Sequence, residues 1–224
     1  MIGTWINTAT VIAGATIGMA IGNRLPERIR QMVFTVLGLM TLGIGVSMVI
    51  RGTRPLIIIT SLVLGAVIGE LIGVEKQLER FAKWLESRVR VGGGNFVKGF
   101  VTASLLFCVG PMTVIGSIQD GLTGDSTILV TKSIMDGVSS IALAATTGIG
   151  VLFSAITVLV IQGGLTLLGK SLSVLTEPRA LDQLTGVGGV LIMGLAIRML
   201  EIKDIRVGNL LPALVIVAIL VVLV

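Results

Sequence analysis

The sequence predicts an all-α fold, a polytopic bundle of about seven or eight transmembrane helices, and three observations carry that expectation. Of 224 residues, 54% are hydrophobic and only 13% are charged, whereas a soluble domain carries about a quarter charged residues. The apolar content is aliphatic, with 4% aromatics and no Tyr. Glycine is abundant at 30 residues. Each interior Gly costs a soluble helix about 1 kcal/mol against Ala, but in a membrane it lets helix backbones approach closely.

Taken in order, eight stretches approach the roughly 20 apolar residues that a span needs. They are Ile2–Ile21, Met32–Ile50, Leu56–Val74, Phe96–Ile118, Ile128–Gly148, Ile149–Gly169, Leu184–Leu200 and Leu210–Val224. Met1-Ile2-Gly3 has no basic start, so the first stretch is expected to stay as a span and not act as a cleaved signal. The fourth is interrupted at Gly110-Pro111, because proline removes a backbone donor and clashes with the preceding turn. Between the third and fourth, Leu78, Phe81, Ala82, Leu85 and Val89 recur at helical spacing among charges. Glu75–Val89 therefore reads as an amphipathic helix lying on the membrane surface, with Gly92–Gly94 as a joint into the second half.

The charges orient the bundle. Arg24, Arg28 and Arg30 follow the first span, and Lys76, Arg80, Lys83, Arg88, Arg90 and Lys98 follow the third. Both groups are expected on the cytoplasmic side, with the N-terminus and the loop holding Asp120 and Asp125 outside. Arg51, Arg54 and Lys170 fall on the outer side and dissent. The formal charge of +5 fits headgroup contacts. No basic face interleaved with aromatics suggests nucleic acid. The single Cys108 precludes an intrachain disulfide, and the absence of His removes the commonest general base and metal ligand. No cofactor is expected.

A weak internal repeat relates Arg28–Met48 to Arg179–Met199: Arg28 aligns with Arg179, Gly38 with Gly189, Gly43 with Gly194 and Met48 with Met199. The organisation it suggests is one transmembrane domain over 1–224, with a first arm at 1–74, the amphipathic helix at 75–94, a central segment at 95–148 and a second arm at 149–224. With eight spans the two arms have inverted topology, a recurrent plan of secondary transporters.

The central segment holds the candidate site. Gly110 and Pro111 free backbone carbonyls at the break. The pattern Ser-Ile-x-Asp-Gly then occurs twice, as Ser117-Ile118-Gln119-Asp120-Gly121 and as Ser133-Ile134-Met135-Asp136-Gly137, with Lys132 before the second. A charge at the bilayer centre costs about 2.5–3.5 kcal/mol or more, so such residues are rare and usually functional. Asp136, Asp120, Gln119, Ser117 and Ser133 with the freed carbonyls make an oxygen-rich set suited to a hard cation or a proton. The bland reading makes Asp120 and Asp125 helix caps, with Asp136 the structural partner of Lys132 one turn away. Asn7, Gln162 and Asn209 read as interhelical hydrogen-bonding residues, and Glu70 as an interfacial charge.

Phe100-to-Leu122 (FVTASLLFCVGPMTVIGSIQDGL), then Lys132–Gly137 (KSIMDG), Gly148–Ala155 (GIGVLFSA) and Asn209–Leu214 (NLLPAL) resemble the YdfK/YqgA-like family of uncharacterised bacterial inner-membrane proteins, across essentially the whole chain. The resemblance implies a bacterial inner-membrane location and imports no activity.

The expected function is transport: a carrier or channel for a small solute or ion, coupled to a cation or proton at Asp136. The alternative is a membrane scaffold or subunit of a larger complex. An enzyme is not expected: a serine intramembrane protease lacks its His, and Gly121–Asp125 lacks the spacing of an aspartyl one. The expected partners are the lipid bilayer, a small solute or ion, and a second copy of the chain, the last because Gly65, Gly69 and Gly73 form a small-residue face.

Overall fold

The computed structural model describes residues 1–89 and 95–223, so the expected Gly92–Gly94 joint lies outside the described residues. Those residues form ten α-helices. They are α1 (Ile2–Gly22), α2 (Glu27–Ile50), α3 (Pro55–Ile72), α4 (Val74–Val89), α5 (Phe96–Cys108), α6 (Pro111–Thr123), α7 (Thr127–Thr147), α8 (Gly150–Leu167), α9 (Pro178–Met199) and α10 (Pro212–Leu223). Short 3-10 turns at Ser173–Thr176 and Val207–Leu210 precede the last two.

Six helices are long and apolar enough to cross a membrane, and the bent pair α5–α6 makes up to seven. The eighth expected span falls short: α10 has 12 residues, and even with the turn before it the apolar helical stretch Val207–Leu223 stays under span length. Proline sets several starts. Pro55, Pro111 and Pro178 each open a helix, where the missing N–H leaves no internal bond unmade. The expected break at Gly110-Pro111 is a 61° bend between α5 and α6. Gly148 makes the tight turn from α7 into α8 with φ +81°, a backbone that L side chains rarely adopt.

The helices pack through glycine. α1 runs parallel to α7, with Gly3, Gly14, Gly18 and Gly22 against Leu129, Gly137, Ile141 and Ala145. α2 runs antiparallel to α9, with Gly38 against Leu200 and Gly45 against Met193. α3 runs antiparallel to α10, with Gly65 against Ala213 and Gly69 against Asn209. At the repeat offset α2 and α3 correspond to α9 and α10, so each arm packs its helices on their counterparts. The face of Gly65 and Gly69, which suggested a second copy, is therefore filled by α10 of the same chain. α5 lies parallel to α8 through Phe96–Phe153 and a Ser104–Thr157 hydrogen bond of 3.0 Å.

The polarity is that of a membrane protein. Large aliphatic side chains cover the outside, with Leu56 79% and Leu71 82% exposed, while Asn7, Ser117, Gln162 and Gln183 are buried. A water-soluble protein does not present so continuous an apolar surface. One end of the bundle is tied by charges. Arg30 donates to the carbonyls of Ala145 and Thr146 at 3.1 and 2.9 Å, and Lys98 pairs with Glu201 at 2.9 Å. Buried Glu75 at the start of α4 pairs with Arg198 and accepts from the Gly208 N–H at 2.6 Å. α4 thus lies across this end as an amphipathic helix, Ala82 and Leu85 inward and Trp84 half-exposed under Arg88.

Candidate functional site

The bend at Gly110-Pro111 opens a groove of about 320 Å3 between α2, the α5–α6 break, α7 and α9. Helix α7 delivers Lys132 and Asp136 one turn apart to its wall, and Ser139 and Leu143 follow on the same face. Helix α2 supplies Leu37, Met40, Thr41, Ile44, Ser47, Met48 and Arg51. From Leu37 to Arg51 this wall is about 21 Å long at 1.5 Å per residue. Met135, Ile192 and Met199 complete an apolar lining around few polar groups.

Asp136 is 7% exposed and Lys132 is 5% exposed. The Lys132 ammonium pairs with Asp136 Oδ2, and Asn7 Nδ2 donates to the same oxygen at 2.9 Å. Both donors converge on one carboxylate oxygen, and among the described residues none reaches Oδ1. Arg51 has no ionic partner among the described residues. With Asp136 and Lys132 compensating each other, Arg51 leaves the groove net positive. The start of α6 adds to this, because among the described residues no side chain caps it and uncapped N–H groups carry partial positive charge.

The eight residues singled out in the sequence divide in two. Gly110, Pro111, Lys132 and Asp136 meet at the groove. Asp120 lies elsewhere, buried near the C-terminal end of α6 and 2.8 Å from the Met1 amine. Gln119 donates to Asp125 at 3.0 Å, and Ser133 spends its hydroxyl on the Leu129 carbonyl at 2.6 Å. Ser117 is fully buried, and among the described residues its hydroxyl has no partner. These four do not join Asp136 in one oxygen cage. Asp125 lies just before the Ser126 N-cap of α7 and accepts from the Thr127 N–H at 3.0 Å and its hydroxyl at 2.6 Å. Those two bonds, helped by Gln119, hold its carboxyl below the usual range. Among the described residues no cluster of three or more acidic, Cys or His side chains is placed to hold a metal.

Other polar residues emerge with the fold. Asn7 bridges α1 to α7 as interhelical hydrogen bonding predicts. Asn209 accepts from the Glu75 N–H at 2.8 Å and donates to Glu70 at 2.6 Å, fixing α4 against the turn before α10. Gln162 is buried, with both amide atoms unpartnered among the described residues. Arg51, Thr41 and Ser139 line the groove unannounced by any motif. The one available signal was that Arg51 breaks the charge asymmetry of the loops.

A family profile described as "Protein of unknown function (DUF554)" matches residues 2–222. The chain is 33% identical over 219 residues to "Uncharacterized protein YqgA" of Escherichia coli (strain K12), covering 96% of this chain and 93% of that one. It is 29% identical over 220 residues to "Uncharacterized membrane protein YdfK" of Bacillus subtilis (strain 168), with the same coverage of 96% and 93%. No solved structure matches the chain.

Proposed function

The chain belongs to the DUF554 family, and from that premise we propose that it is a transporter of a small solute, coupled to a proton at Asp136, in a bacterial inner membrane. One observation carries the reading: a buried Lys132–Asp136 pair lines a groove opened by a broken helix, inside an apolar bundle. Intramembrane charges are costly and usually mark a transport path or proton relay. The second oxygen of Asp136 is left for a proton, and Lys132 stands beside it as the counter-charge when that proton leaves.

The surrounding space supports a path. Two further recesses, of about 430 and 370 Å3, open at the charged end among Phe34, Lys98 and Glu201. Met199 lines both of them and the groove as well. It is 3% exposed, so one flexible thioether partitions the groove from the charged end. The basic residues at that end favour the cytoplasm. The bacterial relatives support the location.

The test is flux. Purified protein in liposomes, under an imposed pH gradient and a panel of small solutes, is expected to move protons with one of them. Flux that requires a second protein would favour the scaffold reading. No flux from the pure protein with any solute in the panel would overturn the proposal.

A further inference from the structure

The groove has a chemical direction. Arg51 stands at the end of α2, and Lys132 lies between one and two turns from the start of α7, which faces the same end of the bundle. The uncapped start of α6 opens onto the same wall. Away from these groups the lining turns apolar, through Met40, Ile44, Leu143 and Met199. The result is a positive head region and a hydrocarbon-lined tail region along a wall of about 21 Å. A bare cation needs an oxygen cage, and the arrangement around Asp136 offers one free carboxylate oxygen beside an ammonium. The groove also opens sideways: Met40 is 63% exposed and Met135 53% exposed, both on the apolar outer surface.

We propose that the groove binds a single-chain amphipathic carboxylate that enters from the bilayer. Its head sits among Arg51, Lys132 and the start of α6, and its tail lies along the methionine-lined face of α2 and α7. The charge balance selects the sign. Asp136 neutralises Lys132, so a monoanion at Arg51 brings the site to neutrality, whereas a cation would add to an uncompensated charge. An arginine with backbone N–H groups is also the donor set that carboxylates favour. This names the substrate class of the transport site and rests on that reading.

The probes are spin-labelled stearate, stearylamine and phosphatidylglycerol, with protein in bilayers of neutral lipid, and the motionally restricted fraction of each is measured by electron spin resonance. Stearate is expected to associate roughly tenfold more strongly than stearylamine, the scale of one charge-assisted contact. Arg51→Gln removes the unpaired charge at an exposed position, and Ser139→Leu fills the groove without altering charge. Each is expected to bring stearate down to the level of the amine. Equal association of the three probes with the wild type would overturn the proposal. So would a preference for phosphatidylglycerol equal to that for stearate, which would mark attraction by the basic surface, or a stearate preference that survives both substitutions. Stearate selectivity without flux of any solute would sink the transport reading and leave the ligand assignment standing. Flux of a small ion without stearate selectivity would do the reverse.

Discussion

Asp136→Asn is the sharpest perturbation of the pair at the centre of this protein. Lys132 and Asp136 are 5% and 7% exposed, and among the described residues the ammonium has no other carboxylate partner. The amide can still accept from Asn7 but leaves the Lys132 charge uncompensated. Removing one partner of a buried pair costs about 3–5 kcal/mol. The retained Asn7 bond keeps a contribution of about 1 kcal/mol, so the low end, near 3 kcal/mol, is expected. For a chain of this size that corresponds to a melting point lower by about 6–12 °C. The double variant Lys132→Met with Asp136→Asn removes both charges and is expected to recover most of the loss, since apolar replacement of a buried pair is often neutral. Thermal scans of these three proteins and of the single variant Lys132→Met in nanodiscs complete a double-mutant cycle. The reasoning fails if Asp136→Asn melts within about 1 °C of the wild type, or if the double variant is no more stable than Asp136→Asn alone.

Two further outcomes follow from the packing and the loop. A methyl at Gly14 would stand 2.5 Å from the Gly137 carbonyl, whereas one at Gly43 meets nothing within 4 Å. Gly14→Ala is expected to cost about 1–3 kcal/mol by forcing α1 from α7, and Gly43→Ala to be neutral or slightly stabilising; thermal scans check the contrast. The Asp125 carboxyl is held below its usual range by the Thr127 hydroxyl, the Thr127 N–H and Gln119. A depressed carboxyl stabilises the fold above its ordinary range and loses that contribution as pH falls through its folded value. Amide protection at residues 124–128, taken relative to intrinsic exchange at each pH, should therefore fall in acid, and Asp125→Ala should remove that dependence.

Much of this was legible in the sequence, for local reasons. Apolar length, the Gly110-Pro111 break and the amphipathic stripe of α4 depend on residues near one another in the chain. So does the Lys132–Asp136 spacing, which places both on one helical face. The twin Ser-Ile-x-Asp-Gly motifs were legible as a pattern but not as a place. The first copy lies on α6 and the second on α7, and the two carboxylates acquire different partners. Arg51 and Asn7 join the site from segments far from α7 in sequence, a juxtaposition that periodicity does not carry. Gly65 and Gly69 announced close packing and were read as meeting a second copy, whereas they meet Ala213 of α10 and Asn209 of the turn before it. The eighth expected stretch is apolar but short, and even with the 3-10 turn at Val207–Leu210 counted in it stays under span length.

The pairing of α1 with α7 has a consequence for synthesis. Asn7 finds Asp136 129 residues further along the chain. At about 5–20 residues per second of translation, α1 waits roughly 6 to 26 s before its partner exists. During that interval Thr4 and Asn7 have neither the Thr166 hydroxyl nor the Asp136 carboxylate to bond. Until α7 and α8 arrive, the first helix carries these two polar side chains without the partners that satisfy them in the finished bundle.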